Sequence, residues 1–400
     1  MSNSWKIYML AIVSFLVGTS EYIIAGILDK VASDVGVSVA AAGQLITVFS
    51  LAYAFGTPVL MALTARVERR KLMLAALGLF VVGNVLSVFS SSYLLLMGAR
   101  VVLALSTGVF VVVALTVAAK MAEPGKQGSA IATLVMGFST SLIIGVPVGR
   151  VIAASYDWTL LFAAIGVLGL LAMLAIFKSI PKSEGEAPVP IRAQANILKS
   201  PRIALALSVT FFWIFGYSIV YTYISPYLLT VTGMSERTVS IALFAFGVAS
   251  LVGSKFGGFS TDKWGVGRTL IGGMLLHTGV LFLLASFSQA AWIVFPLLML
   301  WAFSAWSSGP TQQYYLLSLA PEASGIMLSL NSSVLQLAMA AGAGVGGFVV
   351  NNSSLTAIGW VGAVGVGVAA ALSAVSLGVT ANYVARRSRL AVSEPEVCPS

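Results

Sequence analysis

Twelve apolar stretches follow one another along the chain, beginning near Tyr8, Ala42, Leu72, Leu94, Ser129, Thr159, Ile203, Val239, Leu270, Trp292, Ile326 and Thr356. An α-helix needs about 20 such residues to cross the hydrocarbon of a bilayer. The balance of residues agrees, since 58% are hydrophobic and only 9% charged, whereas a soluble domain carries roughly 25% charged residues. The sequence therefore predicts an all-α integral membrane protein with twelve transmembrane helices. The longest polar stretch, Lys178 to Arg202, is rich in Pro, Glu and Lys and reads as a solvated linker. It divides the spans six and six: a six-helix bundle over 1–180, a linker over 181–202, a second bundle over 203–385 and a polar tail over 386–400. The first apolar run is too long for a signal-peptide core and has no A-x-A-like cleavage site close behind it, so it is expected to remain as a span.

Basic residues collect on the cytoplasmic side of membrane proteins. One side of the predicted topology holds Lys6, Arg66, Arg69, Arg70, Lys71, Lys120, Lys126, Lys178, Lys182, Arg192, Lys199, Arg202, Lys255, Lys263, Arg268, Arg386, Arg387 and Arg389. The other holds Lys30 and Arg237, with Arg100 and Arg150 inside or at the end of spans. Both termini are thus expected in the cytoplasm. The formal charge of +9 then reports topology and an attraction to anionic lipid, and nucleic acid is not an expected partner. The one cysteine, Cys398, lies in the polar tail, so neither an intramolecular disulfide nor a thiolate metal cluster is expected.

Internal repetition is visible at half a chain's distance. "LTARVERRK" (Leu63 to Lys71) follows the second span and "STDKWGVGR" (Ser260 to Arg268) follows the eighth, as in transporters built from two parallel halves. Extended to "GGFSTDKWGVGR" (Gly257 to Arg268), the second loop resembles the signature of the major facilitator superfamily. That resemblance spans the whole chain and implies a monomer of two bundles around a central path. It also assigns Gly258, Asp262, Lys263, Gly265 and Arg268 to a loop that latches the cytoplasmic gate. In the first copy Ala65 replaces the Asp and Glu68 a Gly, leaving Glu68, Arg69 and Arg70 as the corresponding charges. Both loops also fit a simpler role as positive-inside anchors.

Further stretches resemble the proton-coupled antiporters of that superfamily. "ARVVLALSTG" (Ala99 to Gly108) places Arg100 inside the fourth span, and "GVPVG" (Gly145 to Gly149) resembles the antiporter signature of the fifth. In the family such a segment, here Gly145, Pro147 and Gly149, lets helices approach closely and discourages leakage; a small-residue packing face with a proline kink explains the same residues. "AGQLITVFSLAYAFG", "LSTGVFVVVALTVAAK" and "AWSSGPTQQYYLLSLAPEASG" resemble bacterial purine base and nucleoside efflux pumps of the cytoplasmic membrane.

Within "GTSEYIIAGILD" (Gly18 to Asp29), Glu21 sits in the first span, where an ionised side chain costs roughly 2.5–3.5 kcal/mol on insertion scales. Counted along their helices, Glu21 and Arg100 lie at a common depth, roughly 10 Å below the outer face. An ion pair or shared site is expected, either as a structural bridge or as a proton-coupling site. A carboxyl group whose exposure or Arg contact changes between two conformations binds a proton in one and releases it in the other. Asp29 is expected to be solvated, and His277 packed or at the lipid interface.

The candidate substrate contacts are Tyr217, Tyr221, Trp301, Trp306, Gln312, Gln313, Asn331 and Gln336, because aromatic faces stack on planar rings and amides read both donors and acceptors. Tyr223 and Trp292 are assigned to interfacial belts. No acid occurs in these second-half spans, which favours neutral planar solutes; the antiporter resemblance implies that they are carried outward in exchange for protons. A permissive pocket for assorted drugs, a sugar or metabolite exporter, an importer and a membrane sensor are the rival readings. The chain has no G-x-x-x-x-G-K-[ST] run to hold ATP and no H-E-x-x-H pair for zinc chemistry, so neither a primary pump nor an enzyme is expected, and no cofactor.

Overall fold

The computed structural model describes residues 3–90, 92–123, 127–182, 199–320 and 324–393. Lys126, Arg192, Cys398 and most of the expected linker lie outside the described residues. The chain is helical throughout: α1 (Asn3–Gly26), the short α2 (Leu28–Val35), α3 (Val39–Leu63), α4 (Arg69–Val88), α5 (Tyr93–Met121), α6 (Gln127–Thr140), α7 (Val146–Ser155), α8 (Thr159–Ser179), α9 (Pro201–Tyr221), α10 (Glu236–Ser286), α11 (Ala291–Leu319), α12 (Ser324–Asn352) and α13 (Ala357–Ser393). The last of these runs past the expected start of the tail at 386.

Eleven helices among the described residues are long and apolar enough to cross a membrane. One of them, α10, has 51 residues, about 76 Å at the α-helical rise and far more than the hydrocarbon is thick. Its path breaks at Gly265, whose φ of 81° and ψ of 165° suit a residue without Cβ. It therefore crosses twice and the spans number twelve. The sequence reading placed a loop over 260–268; the chain stays helical there except at that single glycine.

Serine hydroxyls start the helices that leave the end of the bundle opposite the termini, hereafter the outer end. Ser38, Ser92 and Ser235 accept from the backbone N–H of Ala41, Leu95 and Thr238, satisfying donors that the first helical turn leaves open. The fifth span contains a π-helical turn, Ser141–Gly145, just before Pro147. A proline lacks the N–H of the helical ladder and its ring presses on the carbonyl four residues back, here Ile143, so a widened turn relieves both problems.

The spans sort by packing. Helix α1 lies on α6 and α7, α4 on α5 and α8, and α3 on α5; α9 lies on α12 and α13, and α10 on α11 and α13. Across the halves, α3 packs on α12, and α7 with the π turn packs on α10. At the outer end both halves share one apolar core, running from Ile23, Leu45 and Phe162 to Val220, Leu243 and Trp301. Toward the termini it splits into a core of the first half around Phe80, Leu103 and Phe110 and another of the second half around Leu207, Leu316 and Met327. The outer surface is apolar too: Leu168, Leu171, Leu174 and Phe177 of α8 are exposed, as lipid-facing residues must be.

Close helix contacts rest on glycines. A Cβ at Gly145 or Gly149 would press on Thr19 or Ile23 of α1, and one at Gly257 would lie 2.0 Å from the Ser307 carbonyl oxygen. Gly258, the neighbour assigned to the loop signature, has nothing within 4 Å of its would-be Cβ. Gly257→Ala is expected to destabilise the protein by about 1–3 kcal/mol through overpacking, and Gly258→Ala to leave thermal unfolding in detergent unchanged; equal melting of the two variants would refute this packing account.

Candidate functional site

Where the two cores part, a cavity of about 290 Å³ lies between the halves, opening toward the end that carries the termini. Its first-half wall is Ser14 and Tyr22 of α1, Tyr53 of α3, Val111 and Leu115 of α5, and Leu134 and Phe138 of α6. Facing them are Trp213, Tyr217 and Tyr221 of α9, Trp306, Gln312 and Gln313 of α11, and Asn331 and Gln336 of α12. No Asp, Glu, Lys, Arg or His is among the described residues that line it.

Glu21 lies just beyond the outer end of this cavity and is 4% exposed. Its Oε1 accepts a hydrogen bond from Gln336 Nε2 at 3.1 Å, so an amide of the cavity wall holds the carboxylate across the two halves. The expected ion pair with Arg100 takes a different form. Arg100 is fully buried and donates through Nη1 to the Ser20 carbonyl (2.9 Å) and through Nη2 to the Glu21 carbonyl (3.1 Å). Its guanidinium also lies over the Phe49 ring, 4.3 Å from the centroid. Helical carbonyls keep a spare lone pair and the guanidinium fork matches two in succession, so Arg100 clamps the backbone of α1 while the carboxylate turns to the second half.

The substrate candidates divide into those on the cavity wall and those behind it. Tyr217 and Tyr221 stack with centroids 5.2 Å apart and planes at 15°. Trp301 is not on the wall: it is fully buried behind Tyr217 and donates from Nε1 to His277 Nε2 at 2.7 Å. His277 is thereby a packed residue of the second half, away from lipid. Gln312 is on the wall, but both hydrogens of its amide are committed, to the Ala206 carbonyl (2.7 Å) and Thr210 Oγ1 (2.9 Å). Thr210 in turn donates to Asn331 Oδ1 at 3.0 Å, so this chain of bonds braces α9, α11 and α12. Asn331 donates no hydrogen bond from its amide among the described residues, and Gln313 is exposed in the cavity. Tyr22, Tyr53 and Trp213 complete the aromatic lining. Tyr22 is adjacent to Glu21 in sequence, the one cue that would have pointed to it. Tyr223, expected at the interface, is buried against Gly43 and donates to the Ala343 carbonyl at 2.9 Å; a glycine on each facing helix leaves room for its ring. Trp292 is exposed.

The outer end is bolted by charges that the sequence reading did not bring together. Arg150, fully buried at the end of the fifth span, donates Nη1 to Asp29 Oδ1 and to the Gly26 carbonyl (3.1 Å), and Nη2 to Glu236 Oε2. Lys30 Nζ lies 2.8 Å from Glu236 Oε1. Asp29 is therefore an ion-pair partner, not a solvated acid, because α2 folds it back over Arg150. Glu236 belongs to the second half, so this cluster crosses between halves. Ser225 adds bonds to the Ala25 and Gly26 carbonyls, both at 3.0 Å.

At the opposite end, the partners of Glu68 and Arg70 among the described residues lie within the first half. Asp262, Lys263 and Arg268 are exposed, and Asp262 has no ion pair or hydrogen bond among the described residues. Glu68 faces the bases of its own helix, Arg70 at 3.8 Å and Lys71 at 3.7 Å. Arg70 also donates to the Phe177 and Ile180 carbonyls and lies over the Phe177 ring, fixing α4 to α8. Arg69 is buried beside them.

Twelve spans in two packed halves around a central cavity are the architecture of a membrane transporter. The profile of the Major Facilitator Superfamily matches residues 10–343 and again 206–393, and the chain belongs to that family. YbcL of Bacillus subtilis strain 168, named an uncharacterized MFS-type transporter, is 58% identical over 92% of this chain and 95% of its own length. YdhP of Escherichia coli K12, an inner membrane transport protein, is 30% identical over 88% and 90%. A probable sugar efflux transporter of Helicobacter acinonychis is 27% identical over 89% and 91%. Among solved structures, a D-xylose-proton symporter superposes with a TM-score of 0.76 at 18% identity, covering 93% of this chain and 97% of its own. A bacterial homolog of the human lysosomal transporter Spinster, inward-facing and unoccupied, gives 0.78 at 16%, covering 94% and 96%. These two structures speak for the fold alone.

Removing one arm of the outer bolt should release that end. With a single cysteine introduced at Ala25, Glu236→Gln is expected to raise labelling by a membrane-impermeant thiol reagent added from the outer side about tenfold. Labelling no faster than in the unsubstituted bolt would show that the charges do not hold the end shut.

Proposed function

We propose that this chain is a proton-coupled exporter of small, neutral, planar solutes, with purine bases and nucleosides as the best-fitting class. It works as a monomer in the bacterial cytoplasmic membrane with both termini in the cytoplasm, so the cavity described above is the inward-open state. One observation carries the reading: the cavity wall holds no charged side chain, while the one acid of the first span, Glu21, stands immediately beyond it and is bonded to a residue of that wall, Gln336. A neutral solute meets aromatic faces at Trp213, Tyr217, Tyr221 and Trp306, and free amide groups at Gln313 and Asn331. Each stacking contact with a planar ring contributes about 0.5–1.5 kcal/mol beyond its buried area. Glu21 exchanges protons as the halves move, with Gln336 telling it whether the cavity is open and Arg100 holding its backbone at a fixed depth. Gly145, Pro147 and Gly149 seal α1 to the fifth span against leakage.

Two rivals have support of their own. The apolar wall of Val111, Leu115, Leu134 and Phe138 would serve lipophilic drugs, and the similarity to a probable sugar efflux transporter raises sugars. A sugar needs hydrogen-bond partners around its ring, and this predominantly apolar lining favours a flat heterocycle. Cells overproducing the protein are expected to resist 2-fluoroadenine and 6-mercaptopurine and to gain little against bulky lipophilic cations or toxic sugar analogues. In everted vesicles, uptake should collapse with an uncoupler and fall at least a hundredfold in Glu21→Gln, which keeps the shape and loses the titration. Uncoupler-resistant uptake, or full uptake by Glu21→Gln, would remove proton coupling through this residue.

The loop charges act in the other half of the cycle. When the inner end closes, Asp262 meets the opposing half, either its bases or a helix N-terminus, with Lys263, Arg268 and the Glu68–Arg69–Arg70 group as neighbours. Asp262→Asn is expected to slow turnover severalfold with solute binding unchanged; unaltered transport would leave the loop as a topology anchor.

A further inference from the structure

Outward of the main cavity lies a second, smaller chamber of about 20 Å³, lined by Glu21, Ser50, Arg100, Ser218, Thr222 and, on its inner side, tyrosines. Tyr22, Tyr217, Tyr221 and Met339 line both spaces, so they form the partition between them. The stacked pair Tyr217–Tyr221 gives this partition a stiff floor. Three polar atoms of the chamber residues are buried and lack a hydrogen-bond partner: Glu21 Oε2, Ser50 Oγ and Arg100 Nε. Glu21, Ser50 and Arg100 are all more than nine-tenths buried.

The volume exceeds the roughly 10–15 Å³ that one water requires, and a buried water takes two to four polar partners. The three open atoms differ in kind: Arg100 Nε–H only donates, an ionised Glu21 Oε2 only accepts, and the Ser50 hydroxyl does both. A metal cation is opposed by the Arg100 donor and its charge, and an anion by Glu21. A water molecule, which both donates and accepts, satisfies all three.

We infer that this chamber is a single-water site and the station at which Glu21 exchanges its proton. The inference rests on the reading of Glu21 as the coupling acid. The carboxylate is two-faced: Oε1 is tied to Gln336, and Oε2 is the buried, unpartnered oxygen of a residue that lines the chamber. The chamber water relays the proton: it gives one to Oε2 as it takes one from the proton path behind it, so it is left neutral beside Arg100, and the reverse relay discharges the acid. The titratable or charged groups around Glu21 are Arg100 from α5, Tyr53 from α3, Tyr217 and Tyr221 from α9, and its own neighbour Tyr22. Of these only Arg100 is charged at neutral pH, so it alone sets the field at the station. The tyrosine partition keeps a solute in the main cavity from touching the carboxylate directly.

The test follows the Glu21 carboxyl proton itself. In lipid nanodiscs, the infrared carboxyl band that Glu21→Gln abolishes is followed after transfer into D2O. Ser50→Val fills the chamber and removes the hydroxyl, and is expected to slow the deuterium shift at least tenfold. Ala25→Val fills the chamber from α1 and should do the same, while Ala25→Gly, which leaves the chamber open and keeps all three polar partners, should exchange within about twofold of the unsubstituted protein. Thermal unfolding checks that each variant is folded. Exchange unchanged in both filling variants, equal slowing in Ala25→Gly, or no Glu21 carboxyl band at any pH would each overturn the water station. Normal transport by Glu21→Gln vesicles alongside the expected exchange rates would instead remove the coupling role and leave the chamber standing.

Discussion

A charge in hydrocarbon must be answered by protein dipoles or by an opposite charge, and the placement of three ionisable side chains organises this molecule. Arg150 is answered by carboxylates from both halves, and that crossing bond closes the outer end. Arg100 is answered by two carbonyls and an aromatic face within one half, so it travels with its bundle whatever the other half does. Glu21 is answered by an amide from the opposite half. Arg150 is buried but Glu236 is 40% exposed, so solvent screens this pair below the roughly 3–5 kcal/mol that truncating a fully buried pair costs; the cluster still weights the balance toward a closed outer end. The same arithmetic explains why the solute cavity is free of charge: any ion there would have to be answered anew each time the halves moved.

Much of the architecture was legible in the sequence because the bilayer leaves the chain few options. Spans of about 20 apolar residues become helices since no other local structure satisfies their backbone, and the basic loops mark alternate ends. The Glu21 and Arg100 depths came out equal for the same reason: 1.5 Å per residue leaves little freedom. What could not be read was the direction in which a side chain turns once there. Arg100 faced carbonyls, which carry no signature in a sequence, and Glu21 faced Gln336 from the far end of the chain. Trp301 and Trp306 share one span and one chemistry, yet only the second reaches the cavity, a difference of helical phase that twelve nearly uniform hydrophobic faces do not disclose. Asp29, Lys30, Arg150 and Glu236 were each visible as charges near span ends; their meeting depends on the turn through α2.

The split of the apolar core is what gives these charges a mechanical meaning. One shared core at the outer end behaves as a solid block, while two separate cores toward the termini leave the solute space between them. Moving to the opposite state requires the shared core to part along the contacts of α3 with α12 and of the fifth span with α10. Those contacts are made by small residues: Gly43 and Gly347 receive Tyr223 and Gln44, and Gly247 lies against Ile143. Each such contact seats a side chain in a shallow glycine recess with no side chain wrapped around it on the glycine's side.

The π turn at Ser141–Gly145 has a consequence for the fifth span as a whole. Gly137, ahead of the turn, and Gly145 and Gly149, at its end and beyond, all meet α1. At 100° per residue, the eight steps from Gly137 to Gly145 would leave them about 80° out of phase on a regular helix. The extra residue accommodated in the wider turn takes up about 100° and returns them to one line. The irregularity thus works as a phase corrector: it lets a single seam of glycines run along α1 on both sides of a proline, so the helix that carries Glu21 is gripped from Ala11 to Ile23.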